Sequence, residues 1–420
     1  MLPPTFGGMS AGDTAWLLIS AALVMLMTPA LALFYGGMVQ GKNVLSTFMH
    51  SFLSLALVSI QFALIGYSLC FGTSWHGVIG GFDFIGLDGV GMEAAGAANA
   101  AASSSVPHLA FMIYQCMFAL IAPALISGAY AERMKFSAYA LFTVLWATFV
   151  YDPIAHWSWG TGGWLLELGA IDFAGGTVVH LSSGISALVV ALVLGKRKGY
   201  PTTRHPPHDL TMTVLGAGVL WFGWFGFNAG SASLADGRAA LALANTHLAA
   251  AAGALTWCLV EGARLKKATM LGAASGIVAG LVAITPAAGF VSPMAAIAIG
   301  AIAGGVCYGA VLMKSRLGYD DALDAFGVHG IGGATGALLT GLFARAAYGG
   351  NSGGFELLGK QAIAIGAAGA WSAIVTFVLL KGIDLVVGLR VDPEVEHDGL
   401  DGALHGESAY GGPGSAAHGS

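Results

Sequence analysis

Eleven long apolar runs, separated by short stretches that hold most of the charge, dominate this chain of 420 residues. Only 9% of its residues are charged and 56% are hydrophobic, whereas soluble domains are about 25% charged. A soluble fold has no way to hide this much apolar surface. A bilayer can take it up if each run closes its backbone hydrogen bonds within a helix. The expected fold class is therefore an all-α polytopic membrane protein. Windows of about 19 residues predict spans near 14–36, 48–71, 107–130, 136–157, 173–194, 210–230, 243–263, 269–288, 293–313, 327–345 and 361–388. The 64 glycines predict close helix packing. Cys70, Cys116, Cys258 and Cys307 all fall inside apolar runs and read as buried thiols. Neither a disulfide framework nor a metal set is expected, and no cofactor. The net charge of −5 gives no sign of a nucleic-acid partner. The opening MLPPTFGGMSAGD lacks a basic stretch, so no signal peptide is expected there.

The charge between the runs is uneven. One set of connections holds Lys42, Arg133, Lys135, Lys196, Arg197, Lys198, Arg204, Arg264, Lys266, Lys267, Lys314 and Arg316, with Lys381 and Arg390 towards the C-terminus. The other set holds Arg238, Arg345 and Lys360. Basic residues stay on the cytoplasmic side. The N-terminus is therefore expected outside and the C-terminus inside, which requires an odd number of spans. The segment 72–106 falls outside, and the polar tail 389–420 inside. The division expected is a transporter-like domain over 1–388 and a cytoplasmic tail over 389–420. Five spans followed by five more must face opposite ways, so an inverted 5+5 repeat with a final long helix is expected.

Within that frame, His180 in DFAGGTVVHLSSG and His329 in DAFGVHGIGGATG stand deep in glycine-rich apolar sequence. An ionisable ring in hydrocarbon is expensive and is usually kept for a function. The two occupy the fifth and tenth runs, and the pseudo-two-fold would bring them together near the midplane. An aspartate precedes each, Asp172 by eight residues and Asp324 by five. Asp172 suits a cap for the free amides of FAGG, and can also steady a cation site. In LWFGWFGFNAGS, Trp224, Phe227, Asn228 and Ser231 share one helical face. Trp159, Tyr114 and Phe118 add further rings. Aromatic faces with one hydroxyl at a mouth suit a small cation.

These residues carry a resemblance. LFYGGMVQGKNVLS at 33–46, GAYAERMKFSA at 128–138, DFAGGTVVH at 172–180, GWFGFNAGSA at 223–232, ITPAAGFV at 284–291, DAFGVHG at 324–330 and GLRVDPEVEHDGLDGALHGESAY at 388–410 occur in order over nearly the whole chain. In them the sequence resembles the ammonium transporter (Amt) branch of the Amt/Rh/Mep family. The resemblance implies eleven helices, N-out and C-in, in a homotrimer of the cell (inner) membrane with one pore per subunit. It implies an outer ammonium site of Trp159, Ser231 and Phe118, supported by Asp172, Trp224 and Tyr114. Phe118 and Phe227 would form a gate above the pore histidines His180 and His329. Tyr114 replaces a phenylalanine common at that place in the family. The tail is similar to those that dock PII-type signalling proteins.

The function expected is ammonium recruitment, deprotonation and passage of ammonia, with net ammonium uptake and no enzyme activity. Three rivals carry less. A sensor that signals through its tail would need a partner domain. A hydrolase pairing His180 with Ser182 or Ser183 lacks the G-x-S-x-G setting. A Rh-like channel for ammonia or carbon dioxide does not account for the cation site.

Overall fold

The computed structural model describes residues 8–94, 105–203, 205–349 and 351–410. Arg204, the first seven residues, the 95–104 part of the predicted outer loop and the last ten residues of the tail lie outside the described residues.

Each predicted apolar run holds a helix. They are α1 (Ala11–Met38), α2 (Val44–Phe71), α3 (His108–Tyr130), α4 (Phe136–Leu168, broken at 160–163), α5 (Gly176–Leu194), α6 (Leu210–Ala232), α7 (Gly237–Leu265), α8 (Met270–Ile284), α9 (Pro293–Leu317), α10 (Phe326–Phe343) and α11 (Phe355–Val386). Among the described residues, ten are long and apolar enough to cross a membrane. The exception is α8, with 15 residues, where a span was predicted over 269–288. A crossing needs about 20 residues. Pro286 explains the difference, since it cannot continue the helix amide ladder; the chain instead turns through 285–290, fully buried.

Side chains set the starts of several helices. Ser10, Asp209, Asp236, Thr269 and Ser292 each accept a hydrogen bond from an amide of the first turn, satisfying donors that no helical carbonyl reaches. Pro293 follows Ser292 at the first helical position, where its missing N–H costs nothing. The helices of the bundle approach through small residues: a Cβ added to Gly300 or Gly280 would lie 2.1 or 2.2 Å from the Ala249 carbonyl oxygen. Bilayers offer little hydrophobic drive between helices, so such close backbone contact does the packing.

After α11 the chain does not leave the bundle. Lys135 N–H donates to the Leu389 carbonyl and Val391 N–H to that of Arg133. A short helix, α12 (Pro393–Asp398), and a π-turn, Asp401–His405, follow. Asp401 accepts the Leu45 and Ser46 amides at 3.0 and 2.8 Å, capping α2 from a distance of more than 350 residues in sequence. Arg390 pairs with Glu396 at 2.8 Å, and Lys42 Nζ donates to the His397 carbonyl. The tail is seated on the loops by hydrogen bonds to backbone groups, Lys42 Nζ on the His397 carbonyl and the Lys198 amide on Glu396, with the Arg390–Glu396 ion pair inside the tail itself. Lys266, on another basic connection, turns back to the Ala263 carbonyl.

Beneath the tail lies an ionic core. Arg197 bonds Glu132 at 2.8 Å and Asp320 at 2.8 Å, all three buried. Burial opposes ionisation of Glu132, but the Arg197 charge and the amides of Gln40 and Asn43 hold its pKa below the ordinary value. Asp320 is depressed in the same way, with Arg197 outweighing burial. These three join the 131–135, 195–200 and 318–324 connections at one end of the bundle.

Candidate functional site

The two histidine segments are built on one plan. In each, the imidazole sits in a π-turn that opens the helix, Gly176–Leu181 in α5 and Phe326–Gly330 in α10. One residue is squeezed in per turn, and such bulges gather at functional sites. Before α5, Asp172 Oδ1 accepts the amides of Gly175 and Gly176 and Oδ2 those of Thr177 and Val178, at 2.7–3.1 Å. Before α10, the matching cap is Asp321, which accepts the amides of Ala325 and Phe326 at 3.1 and 2.8 Å. Asp324 was the expected partner and is not the cap; it pairs with Lys314 at 2.5 Å. The spacing of eight that Asp172 makes to His180 is repeated by Asp321 and His329, and was the signal available in the sequence.

Glycines let the segments touch. A Cβ on Gly184 would lie 2.0 Å from the Gly330 nitrogen, and one on Gly333 2.6 Å from the Gly176 carbonyl oxygen. Gly175 has φ of 105°, and its Cβ would also strike Val179. This close crossing brings His180 Nδ1 within 3.3 Å of His329 Nδ1, with ring planes 19° apart. One Nδ1 must donate and the other accept. One ring therefore offers Nε2 as a donor and the other as an acceptor. Both rings are buried.

A lumen surrounds the pair. It is lined by Met27, Leu31, Phe34, Ile121, Leu125 and Leu220 with the two histidines, Trp224, Phe227 and Val278. The space open to a water-sized sphere is about 10 Å³, roughly one such sphere. It continues past His329 into a space of about 50 Å³ beside Tyr35, Met38, Ser275 and Asp324. Such walls admit a small neutral polar molecule and exclude a hydrated ion.

On the His180 side, Phe118 and Phe227 stack at 4.2 Å and close the lumen. Beyond them, Trp159 stands edge-on to Phe118 at 6.0 Å, and its indole N–H donates to the Asp172 carbonyl at 2.9 Å. The Ser231 hydroxyl donates to the Phe227 carbonyl at 2.9 Å, leaving oxygen lone pairs for a cation. Tyr114 packs on Phe118 at 5.0 Å and places its hydroxyl 3.1 Å from Ser231 Oγ and 2.8 Å from the Phe227 carbonyl. The added hydroxyl thus fixes the end of α6.

Trp224 needs a correction. It was expected to support the outer site with Ser231. It lies below the phenylalanines, stacked on His180 at 5.3 Å, with its N–H on Thr285 Oγ1. Seven residues of helix separate it from Ser231, about 10 Å, so sharing a face does not mean sharing a site. Ser182 and Ser183 both donate to helix carbonyls, of Val178 and Val179, and neither is poised as a nucleophile. Among the described residues, no group of three or more His, Cys, Asp or Glu could hold a metal.

A narrow apolar lumen in a helical bundle, interrupted by two imidazoles and headed by aromatic rings, has the size and chemistry to take a small polar solute. The chain belongs to the Ammonium Transporter Family, whose model matches residues 15–410. It is 54% identical to an ammonium transporter of Bacillus subtilis over 411 residues, covering 96% of this chain and 99% of that one. Its fold is similar to the crystal structure of Saccharomyces cerevisiae Mep2, with a TM-score of 0.84, 40% identity, and coverage of 92% and 91%. A structure described as a sensor Amt protein matches with a TM-score of 0.87 at 32% identity, covering 94% and 98%. The chain is a multi-pass membrane protein of a transporter family and not an enzyme.

Proposed function

We propose that this protein takes up ammonium by capturing the ion at an outer mouth and passing it onward as ammonia. The carrying observation is the pair of buried imidazoles, bonded Nδ1 to Nδ1 beneath two stacked phenylalanines. NH4+ is held by the faces of Trp159 and Phe118 and by the Ser231 oxygen, with Asp172 bracing Trp159. A bare ion in the lumen below would lose several kcal/mol of hydration. Surrendering a proton at the mouth avoids that cost. Ammonia then passes when Phe118 and Phe227 part, and hydrogen-bonds His180 and His329, one as donor and one as acceptor.

The arrangement read here has eleven spans, with α8 completed by the buried 285–292 turn. The halves α1–α5 and α6–α10 form the inverted repeat, and α11 is extra. The matched π-turns and aspartate caps favour that reading. The uneven spread of basic residues supports a cytoplasmic tail and an outward-facing Trp159 mouth, in the inner cell membrane. Residues 1–388 form the transporter and 389–420 a regulatory tail. By likeness to the family the protein is a homotrimer, and a PII-type protein is the partner for the seated tail.

The test is current recording across planar membranes holding the purified protein. Under an ammonium gradient, a current reversing with the gradient is expected. Silence in both current and ammonia flux would remove the proposal.

A further inference from the structure

Between the tail and the connections it covers lies a cavity of about 460 Å³, a size common among small-ligand sites. It shares no lining residue with the histidine lumen. Gln40, Lys42 and Glu132 form one wall, the 197–205 connection a second, and Glu396 and His397 of the tail a third. Gly199, at a φ of 84°, turns the connection back on itself. A Cβ there would lie 2.3 Å from Thr203 Oγ1, and the Thr203 amide donates to the Gly199 carbonyl at 2.7 Å. The turn sets Lys198, Thr203 and His205 around one space.

The two carboxylates at this wall are already committed. Glu132 accepts from Arg197 at 2.8 Å, Asn43 at 3.0 Å and the Gln40 amide at 2.9 Å. Glu396 accepts from Arg390 at 2.8 Å and from the Lys198 amide at 2.7 Å. The nitrogen donors are not committed. Lys198 Nζ forms no ion pair among the described residues. Lys42 Nζ gives one hydrogen to the His397 carbonyl and keeps the rest. Gln40 Nε2 donates to His205 Nδ1 at 3.1 Å, so the ring carries its hydrogen on Nε2. That Nε2 has no partner among the described residues. Burial and the Arg197 charge hold the His205 pKa below its ordinary value and keep the ring in this neutral form.

We propose that this cavity binds a phosphate group, carried by a soluble molecule or by a lipid headgroup, and that the bound group fastens the tail. Lys42, Arg197 and Lys198 outnumber Glu132 and Glu396 at the wall. Ammonium groups and an imidazole N–H converging on one space match the acceptor oxygens of a phosphate, and charge strengthens each bond. Lys42 and Lys198 hold the phosphate from the connections, and His205 donates its orphan N–H. His397 closes the space from the tail. The ligand has its full set of contacts only while the tail is seated, so it binds that arrangement more tightly and shifts the tail toward it.

The test is calorimetry of full-length protein in detergent, with inorganic phosphate as the probe and chloride matching its ionic strength. Wild type should bind phosphate saturably, and hydrogen exchange over 393–405 should slow with phosphate and not with chloride. Lys198→Met keeps the amide bond to Glu396, and His205→Phe keeps the bulk of the ring. Each should bind phosphate about tenfold more weakly, the worth of one hydrogen bond to a charged group. Their exchange without phosphate should match wild type, which shows the fold intact. Repeating the titration in nanodiscs that contain phosphatidic acid separates the two carriers. Competition with inorganic phosphate assigns the group to a headgroup, and an unchanged affinity assigns it to a soluble molecule; either result upholds the site. No saturable phosphate binding by wild type overturns the proposal. So does wild-type affinity in both variants, or binding that leaves tail exchange as chloride does.

Discussion

His180 and His329 have the same local construction and different company. Each sits in a π-turn below an aspartate eight residues upstream. His180 is stacked under Trp224 and walled off by Phe118 and Phe227. His329 opens onto a wider space with Asp324 nearby, on the end where the tail and the Arg197 ion pairs gather. The difference teaches that two segments of like local construction serve unlike surroundings. The ring-lined mouth stands beside His180, and the charged end that the tail covers lies beyond His329.

The caps give the largest expected contrast. Asp172 serves four amides and Asp321 two. At about 1 kcal/mol per orphaned amide, Asp172→Ala should cost ~4 kcal/mol and Asp321→Ala ~2 kcal/mol. Thermal unfolding in detergent measures both, and equal losses would break the comparison. Next is the mouth. Trp159→Leu with Ser231→Ala should weaken apparent ammonium affinity roughly two- to thirty-fold, since a cation–π contact is worth about 0.5–2 kcal/mol. Asp324→Asn on the other side should change it less than about twofold. An unchanged concentration dependence in the double variant would remove the cation–π assignment.

The tail gives a smaller effect on stability. Truncation after Leu389 removes Asp401 from the start of α2 and should cost about 1 kcal/mol, the value of a lost cap. The protein should remain inserted, and transport should fall or escape a PII-type partner. Normal transport still inhibited by that partner would make the tail passive. Acid below about pH 4 should act on the same end. Glu132 and Asp320 titrate below their unfolded values, near 4. Their ion pairs stabilise the fold above about pH 4 and lose that contribution as pH falls through the lowered values. A pH series of melting temperatures should show this loss, and Arg197→Met should flatten it.

Much of this could be read from the sequence, for physical reasons. Hydrocarbon burial demands long apolar helices, so every run was visible, and His180, His329, Phe118, Phe227 and Trp159 stood out as chemistry out of place. Other features were not. A π-turn is one extra residue accommodated by packing, with no local pattern to betray it. Trp224 and Ser231 share a face, and only depth along the helix separates them. Asp321 hid beside Asp320 and Asp324 until the capping geometry chose among them. Gln40, Lys198, His205 and Glu396 lie far apart in the chain, and only the seated tail brings them to one cavity.

The central claim is that the lumen carries a neutral molecule past two hydrogen-bonding rings. Parallel ammonium and potassium flux into proteoliposomes tests it most directly. The lumen lacks the ring of oxygens that replaces a potassium hydration shell, so ammonium should enter, methylammonium more slowly, and potassium not above protein-free vesicles. Potassium flux equal to that of ammonium would contradict the account.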